Sequence, residues 1–170
     1  MKGDDFYPSP PEATAALLSV EKFAGAIWEP ACGDGAISKV LEAHGYDVVS
    51  TDLVERGYGE GRIDFLMETK PLAPNIVTNP PYKNALAFAR HALDLESDKV
   101  AFLMRLVWLE GAARKKFFES SGLARVWVFS KRLPRMHRAG YDGPKTTSTI
   151  AFAWFVWSRD HEGSPTLGWI

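Results

Sequence analysis

The sequence predicts an α/β protein built on a doubly wound, mostly parallel sheet, and three observations predict it. Short apolar runs rich in β-branched residues alternate with stretches of helical period along the 170 residues. The first apolar run ends in a glycine-rich turn that opens directly onto a helical pattern, a strand-to-helix join typical of nucleotide-binding folds. The final apolar stretch, TIAFAWFVW, follows a long irregular segment instead of a helix, which suits an antiparallel strand. The expected sheet has seven strands, with the last one antiparallel.

Taken in order, strands are expected at 26–28, 47–51, 62–64, 75–78, 100–104, 124–129 and 149–157. Helices are expected at 11–22, where prolines precede an Ala/Leu body, and at 36–44, which Gly45 stops. Two further helices follow at 84–95 and 110–120. With 46% hydrophobic and 24% charged residues and no internal repeat, residues 1–170 read as a single globular domain. One cysteine excludes an internal disulfide framework, so Cys32 reads as a small buried residue in a reducing compartment. His44, His91, His137 and His161 lack ligand spacing, so no metal site is expected. The N-terminus lacks the apolar core of a signal peptide and no run approaches the length of a membrane span. A soluble, cytoplasmic protein without a membrane partner is expected.

The turn after the first strand reads Glu29-Pro30-Ala31-Cys32-Gly33-Asp34-Gly35. Gly33 and Gly35 let the backbone bend sharply and approach a ligand with no Cβ in the way. The third glycine of a dinucleotide fingerprint is missing, which argues against a nicotinamide cofactor. Asp52, at the end of the second strand and nineteen residues past Gly33, can accept both hydroxyl hydrogens of a ribose. Asp64 and Phe65, at the end of the third, offer an acceptor for an exocyclic amine and a flat apolar face for a purine. A turn aspartate beside a core phenylalanine is the plainer reading of that pair.

The sharpest feature is the apolar strand that runs into Asn79-Pro80-Pro81-Tyr82. Two prolines fix their own φ angles and hold the preceding Asn extended, giving a stiff loop at a strand's carboxyl edge. Such a loop suits chemistry on an amine conjugated to an aromatic ring, whose nitrogen is planar and a poor nucleophile. The Asn79 side-chain oxygen and the Pro80 carbonyl can each accept one N–H, drawing the nitrogen toward tetrahedral geometry. Tyr82 can stack on the ring, as a base turned out of a duplex requires. A mere proline turn is the alternative, and the glycine turn upstream weighs against it.

These residues resemble the class I S-adenosylmethionine-dependent methyltransferases, and within them the adenine-N6 enzymes that act on nucleic acids. Ser9-Pro10-Pro11-Glu12 looks like the family's N-terminal cofactor motif, 29–35 like its glycine-rich motif, and Asn79-Pro80-Pro81-Tyr82 like its catalytic motif, in the gamma-group order. The resemblance implies a Rossmann-like fold and S-adenosyl-L-methionine as cofactor. It places Ser9, Glu29, Ala31, Gly33 and Gly35 around the cofactor's methionine end, Asp52 on the ribose, and Asp64 and Phe65 on the adenine. Asn79, which borders the cofactor, Pro80, Pro81 and Tyr82 would hold the target base. Methyl transfer would be a direct displacement with no metal and no covalent enzyme intermediate.

DNA is the first expected substrate and RNA the second. Glutamine amide methylation in a protein and a non-catalytic cofactor-fold subunit are the remaining alternatives. No stretch of the chain is left for a separate target-recognition domain, so recognition falls to the basic 131–147 segment, a separate recognition subunit or a second copy. The formal net charge of -1 conceals a segregation. Residues 1–104 carry nine Lys/Arg against sixteen Asp/Glu, and residues 105–145 carry ten against three. The basic stretch, with Arg132, Arg135 and Arg138 in its loop, is the expected nucleic-acid contact.

Overall fold

The central strands carry apolar side chains on both faces, so the sheet can be stable only with helices on both sides. The computed structural model describes residues 6–137, 141–144 and 146–170 and has this architecture. Seven strands form one sheet: β1 (Ile27–Glu29), β2 (Val48–Ser50), β3 (Asn75–Thr78), β4 (Lys99–Arg105), β5 (Leu123–Val128), β6 (Phe152–Ser158) and β7 (Thr166–Trp169). Their order is β2-β1-β3-β4-β6-β5-β7. Only β6 runs against the rest, paired antiparallel with β4 on one side and β5 on the other.

On one face, Trp28, Ile76, Phe102 and Phe155 pack with helices α3 (Ala85–Asp94) and α4 (Ala112–Ser120). On the other, Ile27, Val77, Leu103 and Trp154 pack with α1 (Pro11–Val20) and α2 (Ser38–Ala43). Several buried polar side chains tie the layers together. The Trp154 indole N–H donates to the Ala13 carbonyl at 2.8 Å, pinning α1 to the sheet. The Trp28 indole donates to Thr51 Oγ1 at 2.9 Å. Glu21, just past α1 and 3% exposed, accepts from Arg125, from the Trp127 indole at 2.9 Å and from Lys99 at 3.0 Å. One carboxylate thereby ties α1 to β4 and β5.

Six of the seven expected strands and all four helices are present, with ends shifted by a few residues. Residues 62–64 form no strand. Arg62 has φ +63°, as Gly57 and Gly59 also have positive φ, and such backbone cannot extend. Only a single parallel bridge, Thr51 to Glu60, remains beside β2. The seventh strand is β7 instead, whose T-L-G-W run has neither alternation nor an apolar core. Gly168 is required there because a Cβ would strike the Trp127 ring. The 131–147 segment, expected to be irregular, is closed at its base by an antiparallel bridge between Pro134 and Thr147. Arg135 N donates to Thr146 O at 2.7 Å and Ser148 N to Leu133 O at 2.9 Å.

Burial pushes the Glu21 carboxyl up, but its bonds from Arg125, Trp127 and Lys99 outweigh this and hold it below the usual range. A depressed carboxyl contributes stability that is present above its unfolded value of about 4.3 and is lost as pH falls through the folded value. Glu21→Gln should therefore cost about 2 kcal/mol at pH 7 and much less near pH 3, as read from urea midpoints.

Candidate active site

The strands β1, β2, β3 and β4 point their carboxyl ends the same way, and the chain reverses its direction of winding between β1 and β3. In open α/β sheets this is where ligands bind, because the loops on either side diverge and leave a crevice. A pocket of about 270 Å³ occupies the position. Ser9, Glu29, Ala31, Asp52, Asp64 and Phe65 all line it, together with Asn79, Pro80, Pro81 and Tyr82. Residues separated by up to 73 positions in sequence thus share one wall system.

The glycine turn works by hydrogen bonding to the second strand's end. Gly33, at φ +58°, donates its N–H to Asp52 Oδ2 at 2.8 Å, and Val54 N donates to Asp52 Oδ1 at 2.8 Å. These two backbone donors orient the carboxylate, and Arg56 Nε stands 3.8 Å from Oδ1 as an ion pair. Gly33 and Gly35 shape the turn and are not among the wall residues. A Cβ on Gly33 would fall within the Phe6 ring, so the glycine lets the segment before α1 close down on the turn. The Arg56 guanidinium lies over that same ring, 4.4 Å from its centre. A Cβ on Gly35 would come within 2.5 Å of the Tyr58 ring.

Glu29 is 2% exposed and accepts from both the backbone N–H, at 2.8 Å, and the hydroxyl of Ser38. Burial raises its carboxyl well above the usual range, with the Asp52 and Asp34 charges adding to the effect. Glu29 therefore anchors the start of α2 as well as the pocket floor. Burial likewise pushes the neighbouring Cys32 thiol up to about 12, which keeps it protonated and unreactive at neutral pH. Asp64 Oδ1 caps the turn that follows by accepting from Leu66 N at 3.0 Å. Phe65 touches the pocket with little free face. It is 2% exposed, and its ring packs against Trp28, Phe88 and His91.

The Asn79 amide is held from its nitrogen side. Nδ2 donates to Ser9 Oγ at 3.1 Å and faces the Met136 sulfur at 3.9 Å. A thioether can only accept, so this arrangement turns Oδ1 the other way. Asn79 Oδ1 is buried and has no partner among the described residues. An orphaned buried carbonyl oxygen is costly unless a ligand hydrogen completes it. Ser9, expected to touch a cofactor, thus also fixes the acceptor across 70 residues of sequence. Tyr82 lies beside Tyr7, ring centres 6.4 Å apart and planes 27° apart, and under the guanidinium of Arg105 at 4.4 Å.

Arg132 and Arg135 are exposed on the bridged 131–147 segment, and Arg138 lies outside the described residues. The segment is not detached from the site: Leu133 is buried in the core, and Met136 reaches Asn79. Sequence reasoning missed Phe6, Tyr7, Arg56 and Met136. The run of aromatics just ahead of Ser9 was the available signal for the first two. Among the described residues no cluster of acidic, His or Cys side chains could hold a metal, and no helix is long and apolar enough to cross a membrane.

No profile of a known protein family matches the chain, and no curated protein matches it in sequence. Solved structures do match in fold. A protein from Vibrio vulnificus, assigned as a modification subunit of a type I restriction enzyme, superposes with a TM-score of 0.64 at 14% identity. It covers 99% of this chain, which spans 48% of that protein's length. Magnesium protoporphyrin IX methyltransferase from Synechocystis, solved with bound SAM, matches with a TM-score of 0.54 at 16% identity over 86% of this chain and 77% of its own. A TehB-like SAM-dependent methyltransferase from Corynebacterium glutamicum matches with a TM-score of 0.52 at 17% identity over 92% and 89%. The fold is the Rossmann-like fold of S-adenosylmethionine-dependent methyltransferases.

Gly33→Ala combines a left-handed backbone with a collision against Phe6. It should destabilise the protein by about 1–2 kcal/mol and lower its melting temperature, whereas Gly45→Ala, also at positive φ but in open space, should cost only the backbone part.

Proposed function

We propose that this protein is an S-adenosylmethionine-dependent methyltransferase that modifies the N6 amine of adenine in DNA. The observation that carries the reading is the buried Asn79 Oδ1, without a partner among the described residues, on a pocket-wall side chain that Ser9 and Met136 hold by its nitrogen and that Pro80, Pro81 and Tyr82 follow directly. An acceptor left open in this way is suited to an N–H of an amine.

The residues present fit the cofactor. Asp52, fixed through both its oxygens, is the candidate for the ribose hydroxyls, and Asp64 for the adenine amine. Ser9, Glu29 and Ala31 would border its methionine end, and the edge of Phe65 with Leu66 and Ile63 its base. When bound, the cofactor supplies an electrophilic methyl group on a sulfonium. The protein's own part is to prepare the nucleophile. Asn79 Oδ1 and the Pro80 carbonyl would each accept one hydrogen of the target amine, so that its lone pair leaves the ring's conjugation and turns outward. Tyr82 would hold the base by stacking.

The choice of substrate is supported by the surroundings of the site. Arg132 and Arg135 precede, on the same segment, a face-to-face pair of rings, His137 and Tyr141, whose centres are 3.7 Å apart with planes 7° apart. Basic and stacking side chains on one arm, tied to the catalytic loop through Met136, suit a phosphate backbone bearing bases. The fold itself is neutral on substrate, since its relatives include a methyltransferase acting on magnesium protoporphyrin IX. The likeness to a restriction-enzyme modification subunit favours DNA.

Purified protein with methyl-labelled cofactor should transfer label to adenine in DNA. Label found only in RNA would change the polymer, and label found only in protein would overturn the reading. Asn79→Ala should abolish turnover with cofactor affinity nearly intact, while Asp52→Ala should weaken cofactor binding by calorimetry.

A second expectation concerns the arm. Replacing Arg132 and Arg135 together by Ala should weaken DNA binding and lower the slope of log affinity against log salt by up to about 1.4 on single strands. Cofactor affinity should stay constant, and an unchanged slope would place the substrate surface elsewhere.

A further inference from the structure

Arg105 is the last residue of β4, and the sheet itself puts it on the rim of the pocket. β3 ends at Thr78, opposite Phe102 on β4. β4 continues three residues further because its other neighbour, β6, pairs with it through Arg105 opposite Phe152. Arg105 is thereby lifted past the end of β3 to the level of the Asn79-Pro80-Pro81 loop. Its side chain is exposed, and its guanidinium lies over the Tyr82 ring, 4.4 Å from the centre. Among the described residues no carboxylate pairs with it.

A strongly basic side chain beside an acidic pocket, with no acidic partner among the described residues, can lend its charge to a substrate. A guanidinium on a ring face also occupies the surface a base would use, and the two cannot share it. Arginine is suited to both states, since its plane stacks on an aromatic ring and its fork matches phosphate oxygens.

We propose that Arg105 is a substrate-binding residue of this site: it covers Tyr82 in the free protein, yields the ring to the incoming base, and grips a phosphate next to the target nucleotide. The inference rests on the nucleic-acid reading above and adds to it the residue that joins stacking of the base to capture of its backbone. A protein substrate would present no phosphate for this role.

The test compares full-length wild type, Arg105→Ala and Arg105→Lys. The probe is a fluorescein-labelled, adenine-containing single-stranded DNA, followed by anisotropy across a salt series. Methyl transfer to the same DNA is measured alongside. Arg105→Ala should weaken binding about five- to tenfold and reduce the salt slope by about 0.7, the amount for one phosphate contact. KM for DNA should rise with cofactor affinity unchanged, and Arg105→Lys should recover the slope. Quenching of 2-aminopurine at the target position should persist in Arg105→Ala, because Tyr82 is still there to stack. A wild-type salt slope in Arg105→Ala overturns the inference, and so does loss of quenching, which would mean that Arg105 only holds Tyr82 in place. If wild type binds DNA but transfers no methyl to it, the functional reading fails on its own, and the salt slopes still decide the role of Arg105.

Discussion

The sheet is buried on both faces, and everything polar in the centre of this protein follows from that constraint. β3, β4 and β6 are almost wholly buried, with α1 and α2 on one side and α3 and α4 on the other. A polar side chain along these strands would need a partner inside a dry core. Polar function is therefore expelled to the strand ends, and the parallel order of β1 to β4 gathers those ends on one edge. Glu29 and Arg105 end β1 and β4, Asn79 follows β3 directly, and Asp52 lies two residues past β2. Where a charge does sit at depth, as with Glu21, three donors surround it.

Much of this was legible in the sequence because it is written in local rules. Period, proline and glycine punctuation located six strands and four helices, and two prolines after a β-branched run marked the stiff loop at 79–82. The pocket residues could be ranked because strand ends in such sheets converge whatever the intervening loops do. The partnerships were not legible. That Ser9 would bond to Asn79, or Met136 face the same amide, depends on the distance between segments that share no sequence neighbourhood. Phe65 shows the converse: a residue read as a purine platform spends most of its ring on Trp28, Phe88 and His91.

The two misplaced strands have opposite causes. Residues 62–64 have the composition of a strand, but Gly57 and Gly59 upstream and Arg62 itself take left-handed backbone, which no apolar pattern reveals. β7 was hidden for the opposite reason, as a half-exposed edge strand needs neither alternation nor bulk and draws its stability from the β5 ladder. The near-neutral total charge misled only as a total. An acidic pocket region and a basic rim are adjacent in space, and the fold sets Arg105 and Met136 where the two meet.

The bond from Asn79 to Ser9 joins two walls of the pocket. Ser9 belongs to the same short segment as Phe6 and Tyr7, and all three stand on the wall of the pocket. A displacement of that segment would take Ser9 away from Asn79. The orientation of the Asn79 amide therefore depends on where residues 6–9 sit as much as on its own loop.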